Sequence, residues 1–472
     1  MNVTQVAIRP TEASNTAGRP ALTPELLAAS GARYSRSNEG LEAILSKIDP
    51  ENLDKSVDSI FKMIDYGHQS IADMAPVAMF IDGISLWLAY YVWTLCPTAG
   101  GQESSTRYIR LSADEMTPPA ELGIAAEEEW KGMMDRCFDA YRASLEVWEE
   151  IAAHDPDVAR IPRSLLDDPS PKAARQVARM KRNYAFDRAR YFLPVAATTN
   201  MMMIMSARGW VTLCQSLLSH PLPEAIALGN ALCGELQHSA PRMLKHAARK
   251  ESHANGIARE FESWRGMAAA GLPEYLAPEN GTSECPPRAS LDVMLPNGIS
   301  EHDFVADLEF HDNRYSWVGE SLKRTAVRFT WDAVSLGEIR DLNRHRTGTK
   351  YCPLVPRGFY AALEQLPENI PGHDDYLARL RALNETGREI SAKAHDALRN
   401  GDPGYIYSTL LGTQYRFEHV TTADKFIYEA ELRTGTGAHY RYALHLHDTL
   451  ALWYERFPAT REFILEGSAE PE

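Results

Sequence analysis

Apolar positions along the chain follow two rhythms, one of helix and one of strand, and the order in which they alternate occurs twice. Residues 20–65 carry helical spacing with polar faces. Residues 77–82 form a short apolar run of buried-strand type, and Ser85 opens an apolar helix directly after it. Residues 120–155 read as a charged amphipathic helix. After Pro169 and Pro171 the spacing predicts helix from about 173 through 205 and on to 246, broken near Pro194 and Pro221. Met201, Met202, Met203 and Met205 are placed by this reading in a helix core. Periodicity fades over 247–300, where Pro, Gly, Asn and Ser crowd together. Beyond that stretch, 327–332 alternates as a strand, Ser335 opens another helix, and long helices run to Phe457.

The two halves share a register. Ser85 in DGISL and Ser335 in DAVSL are 250 residues apart, and the same offset sets Asp82 on Asp332 and Leu86 on Leu336 without a gap. Ser335 with Glu338 has the spacing of a capping box, in which the hydroxyl serves an orphan helix N–H and the glutamate reaches back. The expected fold is therefore α+β: two tandem modules, each of long helices packed on a small, mostly antiparallel sheet. The expected organisation is a flexible tail over 1–20, a first module over 21–250, a linker over 251–300 and a second module over 301–472.

A chain of 472 residues with 44% hydrophobic positions is long enough for two buried cores. Its 49 Lys plus Arg against 64 Asp plus Glu leave a formal charge of −15, which argues against a nucleic-acid coat. An anionic ligand must instead meet a local group of arginines. Six cysteines without a CxxC pair fit reduced thiols in a cytoplasm rather than a disulfide framework or zinc site. His439, His445 and His447 lack metal-ligand spacing and are read as structural. The first twenty residues have no apolar signal core, and Pro76, Asp82 and Gly83 interrupt the apolar stretch before Cys96, so neither secretion nor a membrane span is expected. GxGxxG, GxxxxGK[ST], GxSxG and HExxH are all missing, which removes simple dehydrogenase, P-loop, hydrolase and zincin readings.

Chemistry gathers in a few short motifs. The first half contains YGHQSIADMA, DGIS and GGQESSTRYI, and the second contains RHRTGTKY directly after the Ser335 helix. This set resembles the flavin-dependent thymidylate synthase family. Its signature is Gly-His-X-Ser, a strand ending in Gly-Val-Ser, an Arg-His-Arg triplet nine residues on, and Glu-X-Ser-X-Arg-Tyr. The spacing agrees, since Ser85 lies 18 residues after Gly67 and Arg344 lies 9 after Ser335. Arg190 precedes Leu193 and Pro194, and Arg208 follows Pro194 by 14, as in a later family segment. Each half departs from the pattern where the other keeps it. The triplet positions of the first half are Thr94, Leu95 and Cys96, and the second half has KYCPLVPRGFY in place of the Glu-X-Ser-X-Arg-Tyr element. Arg208 is matched by Asp424, and Leu217 by Arg433.

The resemblance implies roles. Glu103, Ser105, Arg107, Tyr108, Arg190, Arg344 and Arg433 are expected to bind substrate, and His68, Ser70, Arg208, Arg344, His345 and Arg346 a flavin cofactor. Arginine suits the first task because its planar fork binds phosphate bidentately and stays charged, while an ionised glutamate only accepts hydrogen bonds. The implied reaction is FAD-dependent methylation of a deoxyuridine nucleotide at C5, with methylenetetrahydrofolate as donor and NADPH as reductant, and no protein nucleophile. Alkylation or hydroxymethylation of another pyrimidine nucleotide, and a silent flavin or nucleotide binder, stay open. The implied assembly is a homodimer of fused modules that rebuilds a pseudo-tetramer, with no nucleic-acid or membrane partner.

Overall fold

Strands formed by alternating buried and exposed residues are the frame on which each half is built. The structure is a computed structural model that describes residues 1–6, 22–38, 40–49, 52–61, 69–113, 116–119, 124–278, 281–435 and 437–467. In chain order the elements that matter for the site are β1 (Asn2–Val6), β2 (Pro76–Ser85), α1 (Leu86–Leu95), β3 (Gly100–Glu103), α2 (Ile124–His154), α3 (Pro171–Ala189), β4 (Thr198–Ser206), α4 (Ala207–Leu218) and α5 (Pro223–Ser239). They continue as β5 (Ala289–Met294), β6 (Ala326–Ser335), α6 (Leu336–Leu342), β7 (Thr349–Tyr351), β8 (Gly358–Phe359), α7 (His373–Arg399), β9 (Thr413–Thr422), α8 (Ala423–Thr434) and α9 (Tyr440–Arg456).

The two sheets have one topology. The first runs β1-β2-β4-β3 and the second β5-β6-β9-β7, with β8 added beside β9. Every pairing is antiparallel. Their registers coincide as well: Pro76 faces Ser206 and Ser85 faces Thr198, while Ala326 faces Thr422 and Ser335 faces Gln414. Offsets of 250 for the first strand and 216 for the second convert one set into the other. Even the bulge recurs, between Ile81 and Ile84 and between Trp331 and Val334. Gly83 turns the first bulge at a φ of 69°, with its N–H on Asn200 Oδ1 at 2.9 Å. The bulge turns the strand so that its last residue, a serine, becomes the N-cap of the following helix.

By packing, the chain divides into two compact units that are interleaved in sequence. One comprises Met1–Ser105, Glu115–Glu121 and Ala196–Ser263; the other comprises Thr106–Asp114, Leu122–Val195 and Trp264–Glu472. In the first, β2 and β4 bury Val77, Met79 and Ile81 with Met201, Met203 and Met205. In the second, Trp331 stacks on Phe417 at 5.5 Å between ring centroids, and Phe329 packs against Phe426. Full burial of such side chains contributes about 1.5–3 kcal/mol each. Helix α2 packs in the second unit against both α3 and α7.

Several expectations are corrected. Met201 to Met205 lie in strand β4 and not in a helix core: burial alternates along it, and an all-apolar methionine run hides that period from view. The stretch around 413–422, read as helix, is the matching strand β9. Residues 2–6, placed in a flexible tail, pair with β2 as an edge strand, while 7–20 lie outside the described residues. Within 251–300, a helix over Glu251–Ala268 and strand β5 stand where a linker is expected. All six cysteines are free thiols. No helix among the described residues is long and apolar enough to cross a membrane.

Candidate functional site

Within the second unit, strand ends, helix ends and one short connection bring arginines to a common place. Arg107 comes from the connection after β3, Arg190 from the C-cap of α3, Arg344 from the turn after α6, and Arg433 from the last turn of α8. Three of the four thus stand at helix C-termini, where unpaired carbonyls favour a cation. The chain path that admits Arg190 is a local two-fold. Val195 N–H donates to Thr409 O at 3.0 Å and Leu411 N–H to Leu193 O at 2.9 Å, and Pro194 bridges Leu410, which is 216 residues further on. Equivalent segments of the two repeats therefore meet each other, and Arg190 is delivered onto α6.

Arg190 is buried, 1% exposed, and its Nη2 donates to Gly337 O at 3.3 Å and to Asp341 Oδ2 at 3.1 Å. Its Nε has no hydrogen-bond partner among the described residues. Arg107 pairs with both oxygens of Asp187, at 2.7 and 2.9 Å. Burial works against the charge on Arg107, and Asp187 outweighs it. Burial likewise pushes Asp341 towards protonation, but Arg190, Arg107, Arg344 and Arg433 together hold its carboxyl below the usual range. Arg107 is thus paired with Asp187 and Arg190 with Asp341, while Arg344 and Arg433 act on Asp341 electrostatically.

A support layer lies behind these groups. Arg433 Nε donates to His345 Nε2 at 2.7 Å and Arg433 Nη2 to Asp341 O at 3.4 Å. His345 is buried, which depresses its pKa to about 3 with help from Arg433, Lys350 and His419 and against the pull of Glu429. It is therefore neutral and accepts from Arg433. Glu429 is held down to about 2 because His345, His419 and Lys350 outweigh its burial. His419 Nδ1 lies 3.1 Å from Glu429 Oε2, close enough for ion pairing although out of line for a hydrogen bond. His439 caps α9 by accepting from Arg441 N–H at 3.2 Å, and its other nitrogen faces Asp187 O at 3.2 Å. A cavity of about 580 Å3 opens beside Arg107, Asp187, Tyr108, Arg188 and Tyr440.

The structure thus gathers Arg107, Arg190, Arg344 and Arg433, with the exposed Tyr108 at the cavity, in one unit. Arg344 and Arg346 stand exposed on the turn, while His345 between them points inward. Glu103 and Ser105 belong to the first unit, at and just beyond the end of β3. Arg208 is there too, paired with Asp73 at 2.9 Å on a half-exposed surface beside a cavity of about 240 Å3. Ser70 is exposed in a 3-10 turn over Gln69–Met74, and His68 lies outside the described residues. Among the described residues no group of side chains is arranged to hold a metal. Sequence reasoning missed Asp187 and Asp341. Each stands one helical turn before an arginine, Arg190 and Arg344, yet Asp187 pairs with Arg107 and Asp341 with Arg190, partners that only the fold supplies.

Fold and site together describe an α+β protein of repeated modules in which four arginines, Arg190 buried among them, act on one aspartate. Residues 21–242, a little under half of the chain, match the model of the thymidylate synthase complementing protein family. A stretch of 234 residues is 26% identical to the UPF0159 protein Ta1429 of Thermoplasma acidophilum, covering 46% of this chain and 47% of that protein, so the chain spans about half of that relative's length. Among solved structures, thymidylate synthase X from Helicobacter pylori with FAD and dUMP is 15% identical, covers 53% of this chain and 100% of its own, and has a TM-score of 0.31. The UMP/dUMP methylase PolB from Streptomyces cacaoi bound to 5-Br dUMP is 14% identical, covers 52% and 93%, and has a TM-score of 0.30.

Proposed function

We propose that the chain is a flavin-dependent thymidylate-synthase-like methyltransferase that methylates a deoxyuridine monophosphate at C5. The observation that carries this reading is the group of four arginines around Asp341, assembled from the residues each repeat retains. Arg107, Arg190, Arg344 and Arg433 hold the phosphate, and Asp187 and Asp341 fix the planes of Arg107 and Arg190 before substrate arrives. Tyr108 flanks the base from the cavity wall. No side chain acts as nucleophile.

FAD, when bound, supplies the redox chemistry. Arg344 and Arg346, exposed on one turn, fit the charge of its diphosphate, whereas His345 is committed to Arg433. The one-carbon donor is methylenetetrahydrofolate and the reductant NADPH. The modules 21–250 and 301–472 act as a fused pair joined through 251–300, and two chains form a homodimer that rebuilds a pseudo-tetramer in a cytoplasmic setting.

Tritium release from C5-labelled dUMP with donor and reductant present tests this. Release that is lost in both Arg107→Ala and Arg344→Ala supports it. Unchanged nucleotide and flavin affinity in either variant refutes the assembled site. A second reading, alkylation of a bulkier pyrimidine nucleotide, is favoured by the 580 Å3 cavity beside Arg107. It predicts no release from dUMP but release from the larger nucleotide. A protein that binds flavin and nucleotide yet releases nothing is a silent homologue.

A further inference from the structure

The second unit holds another cavity, of about 870 Å3, which the proposed methylation does not use. It is lined from α2, α3 and the 106–113 connection, with Leu145 and Phe186 as its buried apolar residues. Three arginines line it: Arg110 from the connection, and Arg179 and Arg182 from one face of α3. Glu149 stands on the opposite wall.

These three arginines are exposed to solvent and gathered on one cavity. Others in the same unit are matched by acids, Arg107 by Asp187, Arg190 by Asp341, Arg388 by Glu385 and Arg441 by Glu284. Among the described residues, Arg110, Arg179 and Arg182 have no carboxylate within ion-pair distance, Glu149 included. Like charges one helical turn apart repel, so the arrangement carries a cost that an anionic ligand would relieve. With a net charge of −15, the protein has no general surplus of positive charge to explain the trio. The cavity shares Tyr108, Met180 and Asn183 with the one beside Arg107, so the two are neighbours.

We propose that this outer cavity is a second small-molecule site, for a ligand with two or more phosphate or carboxylate groups held by Arg110, Arg179 and Arg182. The site is separate from the phosphate-binding arginines, and the proposal stands whether or not the methylation reading does.

Calorimetric titration of the full chain with tripolyphosphate and with a triglutamate peptide tests it. One of the probes binds, more weakly at higher salt, and whichever binds identifies the acid chemistry. In R179A/R182A the binding falls about tenfold or more, while dUMP affinity is unchanged. Both substitutions are on the exposed face of a helix, and R110A, on a separate segment, gives the same loss if the double variant is compromised in folding. Failure of both probes to bind the wild-type chain, or equal binding by the variants, overturns the site. A short RNA that binds these arginines more tightly than either probe also overturns it, in favour of a nucleic-acid surface.

Discussion

Helices α1 and α6 begin at equivalent serines after equivalent bulged strands, yet they have become different objects. In α1, Leu86, Trp87, Leu88, Ala89, Tyr90 and Val92 are buried, and the helix is core on nearly every side. In α6, Glu338, Arg340 and Asp341 interrupt the apolar positions, and the turn beyond it carries Arg344 and Arg346. The same contrast holds elsewhere: Arg190 is matched by Ile406, and Arg433 by Leu217, both apolar partners being fully or nearly fully buried. Where one copy gave up its charges, packing took their place. Four of the charges that stayed, Arg107, Arg190, Arg344 and Arg433, act on Asp341.

The strongest way to break this comparison is to remove Arg190. It is 1% exposed and is the partner of Asp341, so Arg190→Met leaves a carboxylate in a buried setting without its closest counter-charge. Breaking such a pair costs about 3–5 kcal/mol, and urea denaturation would show it. Its counterpart change, Ile406→Val, costs only about 0.5–1.5 kcal/mol, the usual loss for one buried methyl group. Equal effects at the two positions would mean that Arg190 is ordinary core.

The capping serines offer the next test. Ser335 Oγ donates to Glu338 Oε1 at 2.6 Å, and His445 approaches Glu338 Oε2 at 2.8 Å, all three residues being buried. Burial pushes Glu338 towards protonation, and His445, Arg441 and Ser335 hold it below the usual range instead. The other serine, Ser85, takes its glutamate from α5: Glu224 receives Ser85 Oγ and N–H, each at 2.7 Å, and is only half-buried. Glu338→Ala should therefore cost about 3 kcal/mol, as for a broken buried pair, and Glu224→Ala about 1–2 kcal/mol, as for lost hydrogen bonds. The reverse ranking in thermal unfolding would contradict the assignment.

Such a difference shows where sequence reading stops. The 250-residue register and the serine caps were legible because each rests on a short motif that occurs twice. Glu224 was not, since nothing local ties it to Ser85, 139 residues away. Strand β4 escaped for another reason: its methionine run is apolar on both faces and hides the two-residue period, whereas β9 does alternate, Tyr415 and Phe417 against Arg416 and Glu418. The pairing of Arg107 with Asp187 and of Arg190 with Asp341 depends on α3 packing in the second unit, which is a long-range result.

Titration separates the two copies more gently. His345 corresponds to Leu95, which has no proton to exchange. Folded His345 holds a pKa of about 3 against an ordinary 6.5, so between those values the unfolded chain binds a proton that the folded chain refuses. Stability then falls as pH drops from 6.5 towards 3. Glu429 adds to the same trend: held at about 2 against 4.5, its contribution is complete above pH 4.5 and is lost towards pH 2. His345→Gln should flatten the decline in urea midpoint between pH 7 and 4.5. An unchanged slope would show that other groups carry it.

The smallest effect on stability belongs to Arg344, and it is the most specific to binding. Arg344 and its counterpart Thr94 are both exposed, so Arg344→Ala and Thr94→Ala should each leave unfolding within about 0.5 kcal/mol of wild type. They should differ in ligand affinity. Arg344 is one of the four charges around Asp341, and its loss should weaken dUMP binding about tenfold or more, the scale of one charge-assisted hydrogen bond. Thr94→Ala should change nothing. Titration with dUMP decides the matter: parallel losses would mean that both copies bind nucleotide, and no loss in either would take Arg344 out of the site.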